Sequence, residues 1–244
     1  MNPQRLRVVT YNIHKGVQGV GPARRLEIHN LAQEMAGFDA DLICLQEVRS
    51  HHRKLAQRFP NWPAQGQAES LLPSGYEAVY RTNALTRHGA HGNALLTRWP
   101  VDEVAHEDVS DHRFEQRGLL HVRVRVAGVP VHVIVLHLGL FASSRLRQVE
   151  RLGAYVARAV PADERLLVAG DFNDWGLRLG PVMRGLGFQT FDAWRLPTFP
   201  SRLPLLHLDR VYARGLQPLA AQVPQGARWA RLSDHLPLIT EFGW

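Results

Sequence analysis

The segment Gly170-Asp171-Phe172-Asn173-Asp174 follows the apolar run Leu166 to Ala169 and delivers a carboxylate and an amide two residues apart. Such a pair can face one small site. The carboxylate holds a water or a proton, while the amide donates to an anionic oxygen without adding negative charge. Phosphate chemistry suits both groups. Helix capping suits them equally, because Asn173 or Asp174 ahead of Trp175-Gly176-Leu177 is also an ordinary helix start.

Other polar residues occupy comparable places. Val8 to Ile13 is strand-like, with Asn12 at its exit. Asp41 to Val48 reads as a buried strand ending near Glu47, and a buried glutamate needs a cation, either a metal or an arginine. Val131 to Gly139 is an apolar strand ending on His137, which is either chemically active or a satisfied core histidine. Leu206 to Tyr212 carries Asp209, and Leu232 to Phe242 places Asp234-His235 just before a closing strand. Polar groups recurring at strand ends argue for one shared site. His88 and His91, within His88-Gly89-Ala90-His91-Gly92, read instead as turn histidines and not as a metal pair.

The elements that must carry these groups follow from periodicity. Helices are predicted over Arg24 to Met35, His51 to Phe59, and Arg145 to about Ala159. The last is capped by Ser143 or Ser144, with Leu146, Val149, Leu152, Tyr155 and Val156 as its buried stripe. Tyr76 to Arg81, Asn93 to Arg98 and Val101 to Val109 are predicted to form a meander, and Gly118 to Ala127 a half-exposed antiparallel strand. Asn61 to Ser74 reads as a polar loop. The Pro-rich, apolar loop Trp194 to Ser201 is expected to pack near the site.

The 244 residues are 45% hydrophobic and 21% charged, ordinary for a soluble globular protein. No linker, low-complexity stretch or repeat divides them, so one domain spanning 1–244 is expected. The one cysteine, Cys44, lies in an apolar run and reads as a core residue. No apolar run reaches ~18 residues and no leader pattern opens the chain, so a cytoplasmic location is expected. The net charge of +7 comes almost entirely from scattered arginines. It favours an anionic substrate without marking nucleic acid.

Taken in order, Tyr11-Asn12, Gln46-Glu47-Val48, His137-Leu138, Gly170-Asp171-Phe172-Asn173, Leu208-Asp209-Arg210 and Ser233-Asp234-His235 resemble the signature of the endonuclease/exonuclease/phosphatase superfamily, the DNase I-like fold. The resemblance runs from Val8 to Phe242. It implies an α/β (α+β) four-layer α-β-β-α sandwich, with two mixed β-sheets face to face, helices outside, and one site at the mouth. It implies Mg2+ or Mn2+ at Glu47, with Asn12 nearby and Asp234 in support, as hard oxygen donors without thiolates would favour. It further implies that Asp209 orients His235 beside the phosphate and that His137 contacts a non-bridging oxygen. Asp171 would orient or deprotonate the attacking water, and Asn173 would steady the phosphoryl group. Glu115-Gln116-Arg117-Gly118 and Arg145-x-x-Gln148 look like features of bacterial members, with Arg117 either a phosphate contact or the partner of Glu115.

The activity so implied is that of a divalent-metal-dependent phosphohydrolase, a phosphodiesterase acting on a phospholipid head group or another small phosphodiester. A nuclease acting on DNA or RNA and a non-catalytic anion-binding module are the alternatives. No transmembrane segment and a monomeric chain are expected.

Overall fold

The computed structural model describes residues 5–191 and 196–244. Its strands are β1 (Arg5–Asn12), β2 (Val17–Gln18), β3 (Arg25–Leu26), β4 (Leu42–His52), β5 (Glu77–Thr86), β6 (Gly89–Thr97), β7 (Val101–Asp108), β8 (Gly118–Val126), β9 (Val129–His137), β10 (Arg165–Asp171), β11 (Asp209–Arg214), β12 (Gln217–Gln222) and β13 (Leu238–Gly243). Its helices are α1 (Ile28–Gly37), α2 (Arg53–Arg58), α3 (Gln67–Ser70), α4 (Ala142–Ala159), α5 (Leu179–Gly185) and α6 (Ala227–Leu232). One sheet runs β12-β13-β1-β4-β6-β5 and the other β11-β10-β9-β8-β7, while β2 and β3 form a small ribbon. Both sheets are mixed: β1 pairs parallel with β4, and β9 parallel with β10.

Strand alternation sorts the apolar residues into three layers. Leu6 and Val8 of β1, Leu42 and Cys44 of β4, Val133 and Val135 of β9, and Leu167 and Ala169 of β10 fill the space between the sheets. Val9, Tyr11, Ile43 and Leu45 face the other way, onto Leu31 and Met35 of α1. Ile134, Leu136, Leu166 and Val168 face Val149, Leu152 and Val156 of α4. The result is the expected four-layer sandwich. Cys44 is a buried core residue, and burial pushes its thiol far above the usual range.

Several local expectations are corrected. The meander does not form: β5 and β6 make a hairpin in the first sheet, but β7 is the far edge of the second. The crossing falls at Arg98 to Pro100, where Pro100 offers no donor to continue a ladder. The histidine-rich turn is only Arg87-His88, and Gly89 to Gly92 already belong to β6. Gly92 is there for close approach, since a Cβ would overlap the carbonyl oxygen of Arg81 on β5. The first helix begins at Ile28, because Arg25-Leu26 pairs with Val17-Gln18.

Helix α4 begins at Ala142 without a side-chain cap, and Ser144 instead donates to Asp111 Oδ2 at 2.7 Å. Its buried stripe is Arg145, Gln148, Val149, Leu152, Tyr155 and Val156, which leaves Leu146 exposed about one residue's rotation away. Strand β8 is less exposed than expected: α4 covers His121, which shares hydrogen bonds with Tyr155 and His132 at 2.8 Å each. The polar loop after α2 contains α3, whose Gln67 is buried. Trp194 and Arg195 of the Pro-rich loop lie outside the described residues. No helix among the described residues is long and apolar enough to cross a membrane.

Gly170 has φ 154° and lies against β9 so closely that a Cβ would overlap the carbonyl oxygen of Leu136. Gly170→Ala should therefore cost at least about 2 kcal/mol, by forcing β9 and β10 apart. Urea denaturation measures this, and a loss below about 0.5 kcal/mol would show that the close approach is dispensable.

Candidate active site

At one end of the sandwich the inward-facing rows turn from apolar to polar. Pairing registers place His137, Asp171 and Asp209 side by side across β9, β10 and β11. Across the gap, Asn12 ends β1 and stands beside Gln46 of β4. These groups meet the Ser233-Asp234-His235 turn around a cleft of about 240 Å³.

Glu47 reaches the cleft through a bulge. Leu45 pairs with Ala94 and Val48 with Gly92, so Gln46 and Glu47 together oppose Asn93. Strict alternation would turn Glu47 toward α1, but the bulge and its φ of 58° bring the side chain to the mouth. Its Oε2 lies 3.1 Å from Lys15 Nζ and is buried without a well-formed hydrogen bond. The basic side chain beside Glu47 is thus a lysine, in place of the arginine that is one of the two expected partners. Burial works to raise the Glu47 carboxyl, but the charges of Lys15 and His14 outweigh it and hold the group below the ordinary range.

His14 does the same for Asp234. Its Nδ1 lies 2.6 Å from Asp234 Oδ2, and this contact overcomes burial to keep Asp234 ionised below its usual range. His14, Lys15 and Gly16 all have positive φ, so the chain turns sharply after β1. Asn12 Oδ1 accepts from His14 N at 3.1 Å, and Gln67 Nε2 donates to the Lys15 carbonyl at 2.8 Å.

Asp171 is the buried hub. Its Oδ1 accepts from Asn173 N at 2.9 Å and its Oδ2 from Asn12 Nδ2 at 3.1 Å. His137 Nε2 and His235 Nε2 lie 3.4 and 3.6 Å from the same Oδ2. His235 Nδ1 hydrogen-bonds Asp209 Oδ2 at 2.8 Å. Burial raises the Asp171 carboxyl, opposed by His235 and reinforced by Asp209. Burial alone would lower His235, but the flanking Asp209 and Asp171 reverse this and raise it. His137 is pushed well below its usual value, first by burial and then by Arg117 and His235. The two imidazoles on either side of the Asp171 carboxyl group are thus pushed in opposite directions, His235 up and His137 down.

Asn173 lines the cleft with φ 48° but spends one amide hydrogen on the Leu138 carbonyl at 2.9 Å. The capping role falls to Asp174, which accepts from Arg178 N and Leu179 N at the start of α5. Arg117 also lines the cleft, yet it is paired with Glu115 at 3.2 Å and donates to the Leu138 carbonyl at 3.1 Å. Arg145 and Gln148 hold the loop after His137: Arg145 Nη1 donates to the Leu140 carbonyl at 2.6 Å, and Gln148 Oε1 accepts from Gly139 N at 2.8 Å.

The turn bearing His235 is strapped on both sides. Ser233 Oγ donates to the Asn12 carbonyl at 2.6 Å, and Ser201 N donates to the Asp234 carbonyl at 2.7 Å. Phe199 packs against the His235 ring at 4.9 Å and Trp175 against Phe199 at 5.9 Å. The described part of the Pro-rich loop therefore forms an apolar wall of the cleft.

Two groups of donors bear on metal binding. Glu47, Asn12 and Asp234 present hard oxygens from one side of the cleft, and the poorly satisfied Glu47 Oε2 fits a hard divalent cation. Lys15 Nζ and His14 Nδ1 contact the Glu47 and Asp234 carboxylates, respectively, in this structure. Donor atoms of Asp171, Asp209 and His235 also lie within 4.8 Å of one another, but there the imidazole already bridges the carboxylates. Sequence reasoning missed His14, Lys15 and Gln67. The first two had a signal in standing between the strand exit at Asn12 and the loop glycine Gly16; Gln67 had none.

A family model of the Endonuclease/Exonuclease/phosphatase family matches residues 9–235. The chain belongs to that family. It is 36% identical over 243 residues to the uncharacterized protein YbhP of Escherichia coli (strain K12), covering 96% of this chain and 95% of that one. The fold is also that of an endonuclease/exonuclease/phosphatase family protein from Leptotrichia buccalis C-1013-b, at a TM-score of 0.76 and 15% identity, covering 98% of this chain and 100% of that one. ANGEL2, a 2′,3′-cyclic phosphatase, shares it at a TM-score of 0.72 and 18% identity, covering 100% and 96%.

The Asp209–His235–Asp171 array should be visible by NMR. A histidine raised by its partners contributes stability that is complete below its unfolded value of about 6.5 and is lost as pH rises through the folded value. The His235 ring should accordingly titrate above the ordinary histidine range, and Asp209→Asn should move that titration down. Titration near the ordinary value in the unaltered protein would show that the array is not charged in this way.

Proposed function

We propose that the protein is a divalent-metal-dependent phosphohydrolase, a phosphodiesterase acting on a phospholipid head group or another small phosphodiester. The observation that carries this reading is the buried Asp171 carboxyl group, with His137 Nε2 and His235 Nε2 at 3.4 and 3.6 Å from its Oδ2, in a cleft that Glu47 also lines. A non-catalytic anion-binding module has no need of a carboxylate raised toward neutrality at the centre of its cleft. Family membership supports the reaction class, and a fold neighbour that is a 2′,3′-cyclic phosphatase accords with it.

Mg2+ or Mn2+, held by Glu47 and Asn12 with support from Asp234, would neutralise charge on a phosphoryl oxygen. The chain's own groups divide the remaining work. Asp171 orients a water and takes its proton as the oxygen bonds to phosphorus, which its raised pKa suits near neutral pH. His235, fixed by Asp209, donates a hydrogen bond from Nε2 to an oxygen of the phosphoryl group, while the leaving oxygen departs with the electron pair of the broken P–O bond and takes a proton from solvent. His137 stays neutral and contacts a non-bridging oxygen. Asn173 uses its remaining amide hydrogen to steady the phosphoryl group, and Arg117 borders the phosphate from its pairing with Glu115. Leu140, Trp175 and Phe199 offer the substrate an apolar wall, which favours a small or lipid-derived ester over a polymer.

Hydrolysis of bis-p-nitrophenyl phosphate tests the reading. Activity should require Mg2+ or Mn2+ and disappear in EDTA, and Glu47→Ala should abolish it while the circular dichroism spectrum stays native. Asp171→Ala and His235→Ala should each lower kcat by at least ~100-fold with smaller effects on KM. Full activity of Glu47→Ala would remove the metal assignment. On duplex DNA, affinity should lack the slope of roughly 0.9 per phosphate that a multi-contact nucleic-acid track produces against log salt. A steep slope, with turnover of DNA or RNA far above that of phospholipid, would make the protein a nuclease.

A further inference from the structure

Beside His14 and Lys15 the cleft adjoins a second recess of about 140 Å³. Its lining includes His14, Lys15, Arg24 and Arg49, and contains no carboxylate. His14 and Lys15 border both cavities, so one molecule can lie across them. We propose that this recess is a subsite for a second phosphate group on the substrate, held by Arg24 and Arg49 while the scissile phosphate occupies the cleft. The inference rests on the phosphohydrolase reading for the scissile group.

Three observations support it. First, Arg49 Nη1 is buried without a hydrogen-bond partner, and neither Arg24 nor Arg49 makes an ion pair among the described residues. Arg117, by contrast, is matched with Glu115, and Arg145 is satisfied by backbone carbonyls. Arg49 feels the charge of Glu47 without pairing with it, and its unsatisfied buried donor, beside the guanidinium of Arg24, carries a cost that a bound anion removes.

Second, the recess is held in shape. The buried Gln67 donates through Nε2 to the Lys15 carbonyl at 2.8 Å and accepts through Oε1 from Arg49 N at 2.9 Å. One side chain thereby fixes the backbones of two of the basic residues. Gly16 leaves the room for it, since a Cβ there would meet Gln67 Nε2 at 2.7 Å. Third, planar guanidiniums suit the several acceptor oxygens and double charge of a phosphate monoester better than a single carboxylate. A 5′-phosphate on an oligonucleotide and a phosphate on a lipid head group both supply that chemistry.

Calorimetry of inorganic phosphate with the full chain in EDTA should show binding that weakens at least about tenfold in Arg24→Ala/Arg49→Met. The single variant Arg24→Ala, at an exposed position, should show a smaller loss in the same direction. In Mg2+, kcat/KM should be about tenfold higher for pTpT than for TpT, or for glycerophosphoinositol 4-phosphate than for glycerophosphoinositol, and the double variant should remove that preference. The pair showing the preference identifies the source of the second phosphate. Unchanged phosphate affinity in the double variant, or no preference in either pair, overturns the subsite. If none of the diesters is cleaved, the hydrolase reading fails, while the calorimetric loss still reports the anion site.

Discussion

One buried carboxylate, Asp171, joins the two sheets where their packing turns polar. A charge so far from water is stable only when its oxygens are matched by donors. The donors come from both sides of the sandwich. Asn12 reaches from the first sheet, Asn173 from the turn beyond β10, and His235 from the lead-in to β13. His235 in turn requires Asp209, its neighbour across the gap. Remove the match between the sheets and the same groups become unpaired charges in an apolar interior.

The positions of these groups were legible because strands have a period of two. His137, Asp171 and Asp209 end inward rows of apolar residues, and Asn12 ends one whose last step before it is Thr10, so polar side chains there stand out in the sequence. Glu47 was legible as a charge in a buried strand, but its direction depends on a bulge that periodicity cannot show. The crossing at Arg98 to Pro100 was hidden for a related reason: strand patterning says which face is buried, not which sheet the strand joins. Leu146 misled in the opposite way, as an apolar residue beside the true helical stripe. Gln67 lay in a segment of no visible pattern, and its role exists only through contacts distant in sequence.

The turn after β1 changes how the acidic side of the cleft should be viewed. Glu47 and Asp234 are brought close enough to disfavour one another, and each is matched by an adjacent residue of one tight turn. The protein therefore sets two basic side chains at the place where hard oxygen donors collect. They are only partly exposed and are tethered to a backbone held by Asn12, Glu27 and Gln67.

The strapped turn at Ser233 to His235 has a consequence for cooperativity. It leads into the first sheet, is bound to Asn12 of that sheet, and places its imidazole among carboxylates of the second. The groups around the cleft are thus not a loop resting on a finished scaffold; they are part of the joint that makes the scaffold one body. Fraying of β5 or β12 at the sheet edge can leave them in place, whereas any slippage of one sheet over the other dismantles them at once. A ligand gripping both shores of the cleft would act as a rivet between the sheets, and its binding energy would be felt throughout the sandwich.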